Sequence, residues 1–411
     1  MRILHVSERV SPIGGCERML RDTCRMLSAE GHDVSVLVAE DTPTGSFETP
    51  VERLPRSRGP RVAMQVKPLL DTILERLRPE VIHVHNAQEF LSPLLLHHLH
   101  QRAPTLRYVH DARLVCPRVP SKRLAFSNEL CPHAMGVRCL MHCFPIDSGG
   151  GHTRPAKELT LLYGDLAVTR RLPAVLVGSH YMREQLLVNR FDASRIHLLC
   201  GFTDKAVRIE PSVATQPHVV AIGRFDGVKG MEQLPGLLAR LSTAGWHATL
   251  AGDGPHLAGA RAQAASLGLA DRIRFPGAME SSALDRLYAS ATGGVMASRV
   301  PEAFGLIGIE AMAFGKPVVA YDIGGVAEWL RDGATGHLVR HDDAAAFTRR
   351  VDELLSNPDR AQQFGARGRE AVERRFRPEH HLRPLLALYE ALRAGDRRRQ
   401  PAAATDTGLV R

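Results

Sequence analysis

Short apolar runs alternate with amphipathic stretches along almost the whole chain. Ile3–Val6 is a run of strand length, Cys16–Leu27 sets Leu20, Cys24 and Leu27 on one helical face, and Val34–Val38 is apolar again. The same alternation predicts helices over Val62–Leu77, Ala87–His100, Ala156–Leu172 and Tyr181–Val188. Between them, strands are expected at Val81–Val84, Thr105–Val109, Ala174–Val177 and Ile196–Leu199. Thr42–Arg61, rich in Pro, Gly and Arg, is expected to be an irregular loop. A second series follows, with strands at Val219–Ile222, Thr249–Ala251, Arg272–Phe275, Gly294–Ala297 and Val318–Ala320. Strands alternating with helices predict an α/β protein with parallel sheets. Gly201–Gln216 is weakly periodic and is read as a linker. The expected organisation is thus residues 1–200 as one domain, 201–216 as linker and 217–377 as a second domain. An amphipathic helix over 378–394 and a disordered tail over 395–411 complete it.

Composition narrows the picture. A 24% charged, 44% hydrophobic chain of 411 residues is globular and long enough for two cores. No apolar run approaches the ~20 residues that span a bilayer. Met1–Arg9 breaks into charge too early for a signal peptide, so a cytoplasmic location is expected. The net charge is +9, of which residues 1–200 contribute +6, from 26 Lys and Arg against 20 Asp and Glu. Such a basic first half suits peripheral contact with an anionic membrane face or a phosphorylated acceptor, or is ordinary scatter. With 5% aromatic residues and no basic stripe interleaved with aromatics, nucleic acid is not an expected partner.

Chemistry concentrates in a few turns. Val300–Ala320 carries Glu302 and Glu310 eight positions apart, with Phe304, Gly305 and Leu306 entering an apolar helix. Backbone N–H groups at such a helix start favour an anion. Glu310 lies five residues beyond Gly305, roughly 7–8 Å along the helix, about the span from a diphosphate to a ribose. G-R-F-D-G-V-K-G (Gly223–Gly230) sets Arg224 and Lys229 in a glycine-bordered turn after a strand, and two such cations suit a diphosphate. Gly14-Gly15 follows the first strand, either as a tight turn alone or for close approach of a ligand. His110-Asp111 ends a strand where α/β sheets place ligand groups. Arg113–Thr153 interrupts the alternation and holds Cys116, Cys131, Cys139 and Cys143 with His133 and His142. Their C-x14-C-x7-C-x3-C spacing is not that of a zinc ribbon. Structural zinc, an iron–sulfur or redox role, and unligated thiols remain open for these cysteines.

Taken in order, the Gly-Gly turn, His110, G-R-x4-K-G, A-G-D-G-P (Ala251–Pro255), E-A-F-G-x4-E and a later Gly324-Gly325 turn resemble the retaining family 4 glycosyltransferases over about residues 1–390. The resemblance implies a GT-B fold, two Rossmann-like domains facing a cleft, with the C-terminal helix returning to the first domain. It implies a nucleotide-sugar donor and an acceptor such as a glycan, lipid-linked saccharide or small molecule of envelope or exopolysaccharide synthesis. On it, Arg224 and Lys229 neutralise the donor diphosphate, beside Gly223. Glu302 binds the transferred sugar, and amides around Phe304–Leu306 assist at sugar and phosphate. Glu310 binds the ribose, and the base lies near Phe275–Gly277. His110 contacts the sugar, and Gly14 and Gly15 close on phosphate and acceptor. Catalysis would need no metal cofactor, and a front-face departure of the phosphate fits the absence of an evident carboxylate nucleophile in the first domain. A GT-B epimerase or phosphorylase, or a non-catalytic nucleotide-sugar or metal-binding module, are the alternatives.

Overall fold

A computed structural model describes residues 1–10, 14–44, 47–118, 122, 124, 129–139, 155–205 and 216–395, with only the backbone at 155–158. Most of the cysteine-bearing insert, the greater part of the expected linker and the 396–411 tail lie outside them. Two compact units are present, Met1–Cys200 together with the segment from His381, and Gly201–His380.

The first unit runs β1 (Arg2–Val6), α1 (Gly15–Ala29), β2 (Asp33–Ala39), β3 (Val51–Leu54), α2 (Pro60–Leu77), β4 (Val81–Val84) and α3 (Pro93–Arg102). It continues through β5 (Thr105–Val109), α4 (Pro155–Thr169), β6 (Ala174–Val177), α5 (His180–Val188) and β7 (Ile196–Leu198). The seven strands form one sheet in the order β3-β2-β1-β4-β5-β6-β7, every neighbouring pair parallel. Leu4, Val6, Leu37, Ile82 and Val84 pack against Val66, Leu70, Ile73 and Leu74 of α2 and Leu95, Leu96 and Leu99 of α3. A parallel sheet is covered on both faces, which is why β4 and β5 are buried at every position.

The second unit runs β8 (His218–Ile222), α6 (Leu234–Leu238), β9 (His247–Ala251), α7 (Leu257–Ser266), β10 (Ile273–Gly277), α8 (Ser281–Ser290) and β11 (Gly293–Met296). It ends with α9 (Leu306–Ala313), β12 (Val318–Asp322), β13 (Gly336–Arg340), α10 (Ala344–Ser356) and α11 (Pro358–Arg375). Its parallel sheet has the order β10-β9-β8-β11-β12-β13. Val219, Ala221, Leu250, Val295 and Val319 meet Phe347, Val351 and Leu354 of α10. The final helix, α12 (Pro378–Arg393), belongs to the first unit from His381 onward. There the Tyr389 hydroxyl and His83 Nδ1 are 2.6 Å apart, and His381 Nδ1–H donates to the Cys200 carbonyl at 2.9 Å. Among the described residues no helix is long and apolar enough to cross a membrane.

Three elements differ from the sequence reading. β3 lies within the stretch expected to be irregular; it is a four-residue edge strand with only Leu54 buried. α3 starts at Pro93 rather than Ala87, because the Ser92 hydroxyl accepts from Leu95 N–H at 3.3 Å and Pro93 occupies the first turn. After Gly230 the chain makes a 3-10 turn, Met231–Gln233, and only then the five-residue α6.

Both strand orders contain a reversal, between β1 and β4 and between β8 and β11. The crevice beyond the carboxyl ends at such a point is where open α/β sheets hold ligands.

Candidate functional site

In the second unit, the loops leaving β8 and β11 flank that reversal. Lys229, from the β8 loop, directs Nζ to both oxygens of Glu302 in the β11 loop, at 2.8 and 2.7 Å. The Ser298 hydroxyl donates to Glu302 Oε1 at 2.5 Å. The Glu302 side chain is 7% exposed and that of Lys229 28%. Burial pushes the Glu302 carboxyl up, but the Lys229 charge and hydrogen bonds, the Ser298 bond and the Arg224 charge outweigh it and hold the group below its usual range. Glu302 is therefore an anion whose lone pairs are already ordered.

Arg224 is exposed, and its guanidinium pairs with Asp226 at 2.9 Å. Asp226 also accepts from Val228 N–H at 3.1 Å, which tightens the turn before Lys229. Gly223 sits between Ile222 and Arg224, its N–H bonded to the Ala251 carbonyl at 3.0 Å.

The backbone of Glu302 is fixed too. Its carbonyl accepts from Gly325 N–H at 2.6 Å, and Gly324 lies so close that a Cβ there would sit 2.3 Å from that carbonyl oxygen. Two residues on, Phe304 is buried, and its carbonyl accepts from Trp329 Nε1–H at 2.7 Å. Gly305, at φ 93°, turns the chain into α9 and caps it with no side-chain bond. The first N–H groups of α9, beginning at Leu306, lack intrahelical acceptors, as at any helix start. Glu310 is buried in the second turn of α9, where the Tyr288 hydroxyl donates to its Oε2 at 3.4 Å. The structure thus brings Lys229, Ser298 and Glu302 into direct contact, with Arg224 near enough to act electrostatically on Glu302.

Trp329 supports this loop from beneath. A Cβ on Gly308 would fall 2.0–2.4 Å from its indole ring. Replacing a helical Gly by Ala normally stabilises by about 0.5–1 kcal/mol. Here the clash with a fully buried ring wins, and Gly308→Ala is expected to cost about 3 kcal/mol and to shift tryptophan emission. An unchanged urea midpoint would contradict this packing.

In the first unit, Gly14 caps α1 and, with Gly15, is exposed at the start of that helix. His110 follows β5 and is buried. Asp111 closes the next turn, accepting from Arg113 N–H at 2.8 Å and Arg113 Nε at 2.9 Å. The His110 ring stacks on Tyr108 at 4.3 Å and lies 5.1 Å from that of His85, with Nε2 2.8 Å from His85 Nδ1. Burial, and then the charges of Arg113, His381 and Arg107, depress its pKa to about 3, so the imidazole is neutral.

Of the cysteines considered for metal, Cys143 lies outside the described residues. The Cys116 thiol contacts the Arg118 carbonyl at 3.7 Å and is pushed up to about 11, chiefly by burial. Cys131 and Cys139 are half-buried, and Cys139 Sγ accepts from Gly136 N–H at 3.5 Å. Among the described residues, the group whose ligand atoms lie within 4.8 Å of one another is instead His5, His83 and His85. Sequence reasoning missed these three, Ser298 and Trp329. His5 and His83 did leave a signal, as polar residues inside otherwise apolar strand runs, and His85 follows the second of these runs.

Two parallel α/β units, each with a strand-order reversal, have the architecture of the GT-B class. The model of "Glycosyltransferase Family 4" matches residues 13–206, and that of "Glycosyl transferases group 1" matches residues 203–371. The chain belongs to the family 4 glycosyltransferases. It is 32% identical over 234 residues to a phosphatidyl-myo-inositol mannosyltransferase of Mycobacterium leprae, covering 54% of this chain and 61% of that protein. It is 41% identical over 103 residues to a D-inositol 3-phosphate glycosyltransferase of Streptomyces scabiei, covering 25% of this chain and 23% of that one. The matched segments thus span between about a quarter and three fifths of these relatives. Among solved structures, sucrose-phosphate synthase from Thermosynechococcus elongatus superposes with a TM-score of 0.73 at 22% identity, over 96% of this chain and 99% of that one. Anabaena Alr3699/HepE in complex with UDP and glucose gives a TM-score of 0.73 at 19% identity, over 95% and 99%.

Proposed function

We propose that this glycosyltransferase moves a sugar from a nucleoside-diphosphate-sugar to an acceptor hydroxyl, with retention at the anomeric carbon. The observation that carries the reading is the Lys229–Glu302 pair beside the start of α9, at the carboxyl ends of the strands flanking the reversal. A nucleoside-diphosphate-sugar needs cations for its diphosphate and fixed acceptors for its hydroxyls, and this cluster supplies both. Solved relatives of the same fold include one in complex with UDP and glucose, which agrees with a donor of this type.

On this reading Arg224 and Lys229 face the diphosphate, with Gly223 and the N–H groups around Phe304, Gly305 and Leu306 beside it. Glu302 accepts hydrogen bonds from sugar hydroxyls. Glu310 accepts from the ribose, Gly14 and Gly15 border phosphate and acceptor, and His110 faces the transferred sugar. As the anomeric C–O bond to phosphate breaks, negative charge grows on the leaving diphosphate. The two cations and the helix start stabilise that charge more than they stabilise the ground state. The acceptor oxygen forms the new bond on the face the phosphate leaves, and its proton passes to the departing phosphate oxygen. No step is routed through a metal ion. The acceptor is a glycan, a lipid-linked saccharide or a small hydroxylated molecule, reached by a protein that works at or near an anionic membrane face.

The test is incubation of the whole chain with a panel of nucleotide-sugars, following nucleoside diphosphate release by chromatography. One donor is expected to release its nucleoside diphosphate slowly without acceptor, by transfer of the sugar to water, and faster with one, by transfer to the acceptor hydroxyl, and proton couplings of the product report its anomeric configuration. Binding of donors with no release under any acceptor would overturn the transferase reading, and an inverted product would overturn retention.

A further inference from the structure

A buried line of imidazoles leads to His110 inside the first unit. β1 and β4 are paired in register, with His5 opposite His83, and β5 lies on the other side of β4. His85 and His110 leave the carboxyl ends of β4 and β5. His5 Nδ1 is 2.9 Å from His85 Nε2, and His85 Nδ1 is 2.8 Å from His110 Nε2. The His83 ring lies 5.1 Å from that of His5 and 4.2 Å from that of His85, which holds the line in place. Burial keeps all three linked imidazoles neutral.

A neutral imidazole has one N–H and one bare nitrogen. Two linked hydrogen bonds therefore allow two proton arrangements, both bonds donating toward His110 or both away from it. The far end decides. His5 Nε2 is buried, with no hydrogen-bond partner among the described residues. If the bonds ran away from His110, that nitrogen would carry an orphaned N–H, which is rarer and more costly in a protein interior than an unpaired acceptor. The favoured arrangement has His5 Nδ1–H donating to His85 Nε2, His85 Nδ1–H donating to His110 Nε2, and the proton of His110 on Nδ1.

We propose that His5 and His85 are positioning residues that lock His110 as an Nδ1–H donor, so that it offers an oxygen-bearing substrate a hydrogen bond rather than a lone pair. This inference rests on the reading of His110 as sugar-facing and adds the direction of its hydrogen bond. A metal held by His5, His83 and His85 is the competing use of the cluster. In the structure, His5 Nδ1 and His85 Nε2 face each other at 2.9 Å as a hydrogen bond, and His85 Nδ1 is spent on His110, so an ion held by the three rings would have to break the line.

The experiment is NMR of the full chain with 15N-labelled imidazoles, which reports the protonated nitrogen of each ring, together with kinetics. Wild type is expected to show His110 as the Nδ1–H tautomer, and His85→Phe a mixture. In His85→Phe, kcat should fall about tenfold with donor KM within twofold, as for loss of an orienting partner. His85→Gln, which can still donate, should recover part of this. In a His110→Ala background, His85→Phe should cost nothing further. His110 as Nε2–H in wild type, an unchanged tautomer in His85→Phe, or a loss that persists in the His110→Ala background would each overturn the proposal. So would a stoichiometric metal lost on His83→Ala. If His85→Phe does not fold, the wild-type spectrum decides. Full activity in His110→Ala would remove the sugar-facing reading and with it the catalytic half of the proposal, whereas the tautomer would still report on the line itself.

Discussion

Lys229→Met is expected to lower kcat about a thousandfold, the scale on which a group stabilising transition-state charge acts. It should also lower stability, because Glu302 is buried and would keep Ser298 as its hydrogen-bonding partner without the ammonium. Removing one member of a buried pair costs about 3 kcal/mol. Glu302→Gln in the same chain removes the stranded charge. The double variant Lys229→Met/Glu302→Gln is therefore expected to regain most of the lost urea midpoint and none of the lost kcat. Stability and chemistry then separate in one cycle of four proteins. A single Lys229→Met variant within threefold of wild-type kcat would remove Lys229 from the mechanism.

The second large effect is loss of the first unit in mild acid. His5 and His110 are depressed to about 3 and His381 to about 4, in each case chiefly by burial. Unfolded, each titrates near 6.5. Below that pH the unfolded chain binds protons that the folded one refuses, so stability falls as pH falls toward the folded values. It is unaffected above about pH 7.5. Each histidine contributes a slope of about 1.4 kcal/mol per pH unit, and the three together about 4. Two pH units would remove much of the stability of an ordinary domain. Both tryptophans, Trp246 and Trp329, lie in the second unit, so their fluorescence does not report on this event. Hydrogen exchange of β1, β4 and β5 at pH 8, 6 and 5 does. Protection that stays flat to pH 5 would refute the account, and His381→Phe should make the decline shallower.

The sheets were legible in the sequence because parallel strands are covered on both faces and so appear as largely apolar runs, broken only by single polar residues such as His5, His83 and Arg107. β3 was not, because an edge strand with one buried residue carries no such run. The start of α3 depended on a Ser-Pro pair outweighing an apolar pattern that began six residues earlier. Glycine turns marked where Arg224, Lys229 and Glu302 lie. That Lys229 and Glu302 bond each other followed only from the adjacency of β8 and β11, across 73 residues. The His5–His85 bond joins positions 80 residues apart and exists through the register of β1 on β4. No local pattern encodes either pairing.

The first unit takes its last helix from the far end of the chain. Tyr389 and His381 are made after the whole second unit, so a ribosome delivers β1 to β7 long before the helix that closes over His83 and Cys200. During synthesis the second unit has all its residues first, and the first waits with polar atoms meant for the interior still open to water. Chains cut before residue 381 are expected to express as protein with a protected second half and a protease-sensitive first half, and supplying residues 378–395 as a separate peptide offers a direct means of completing the fold.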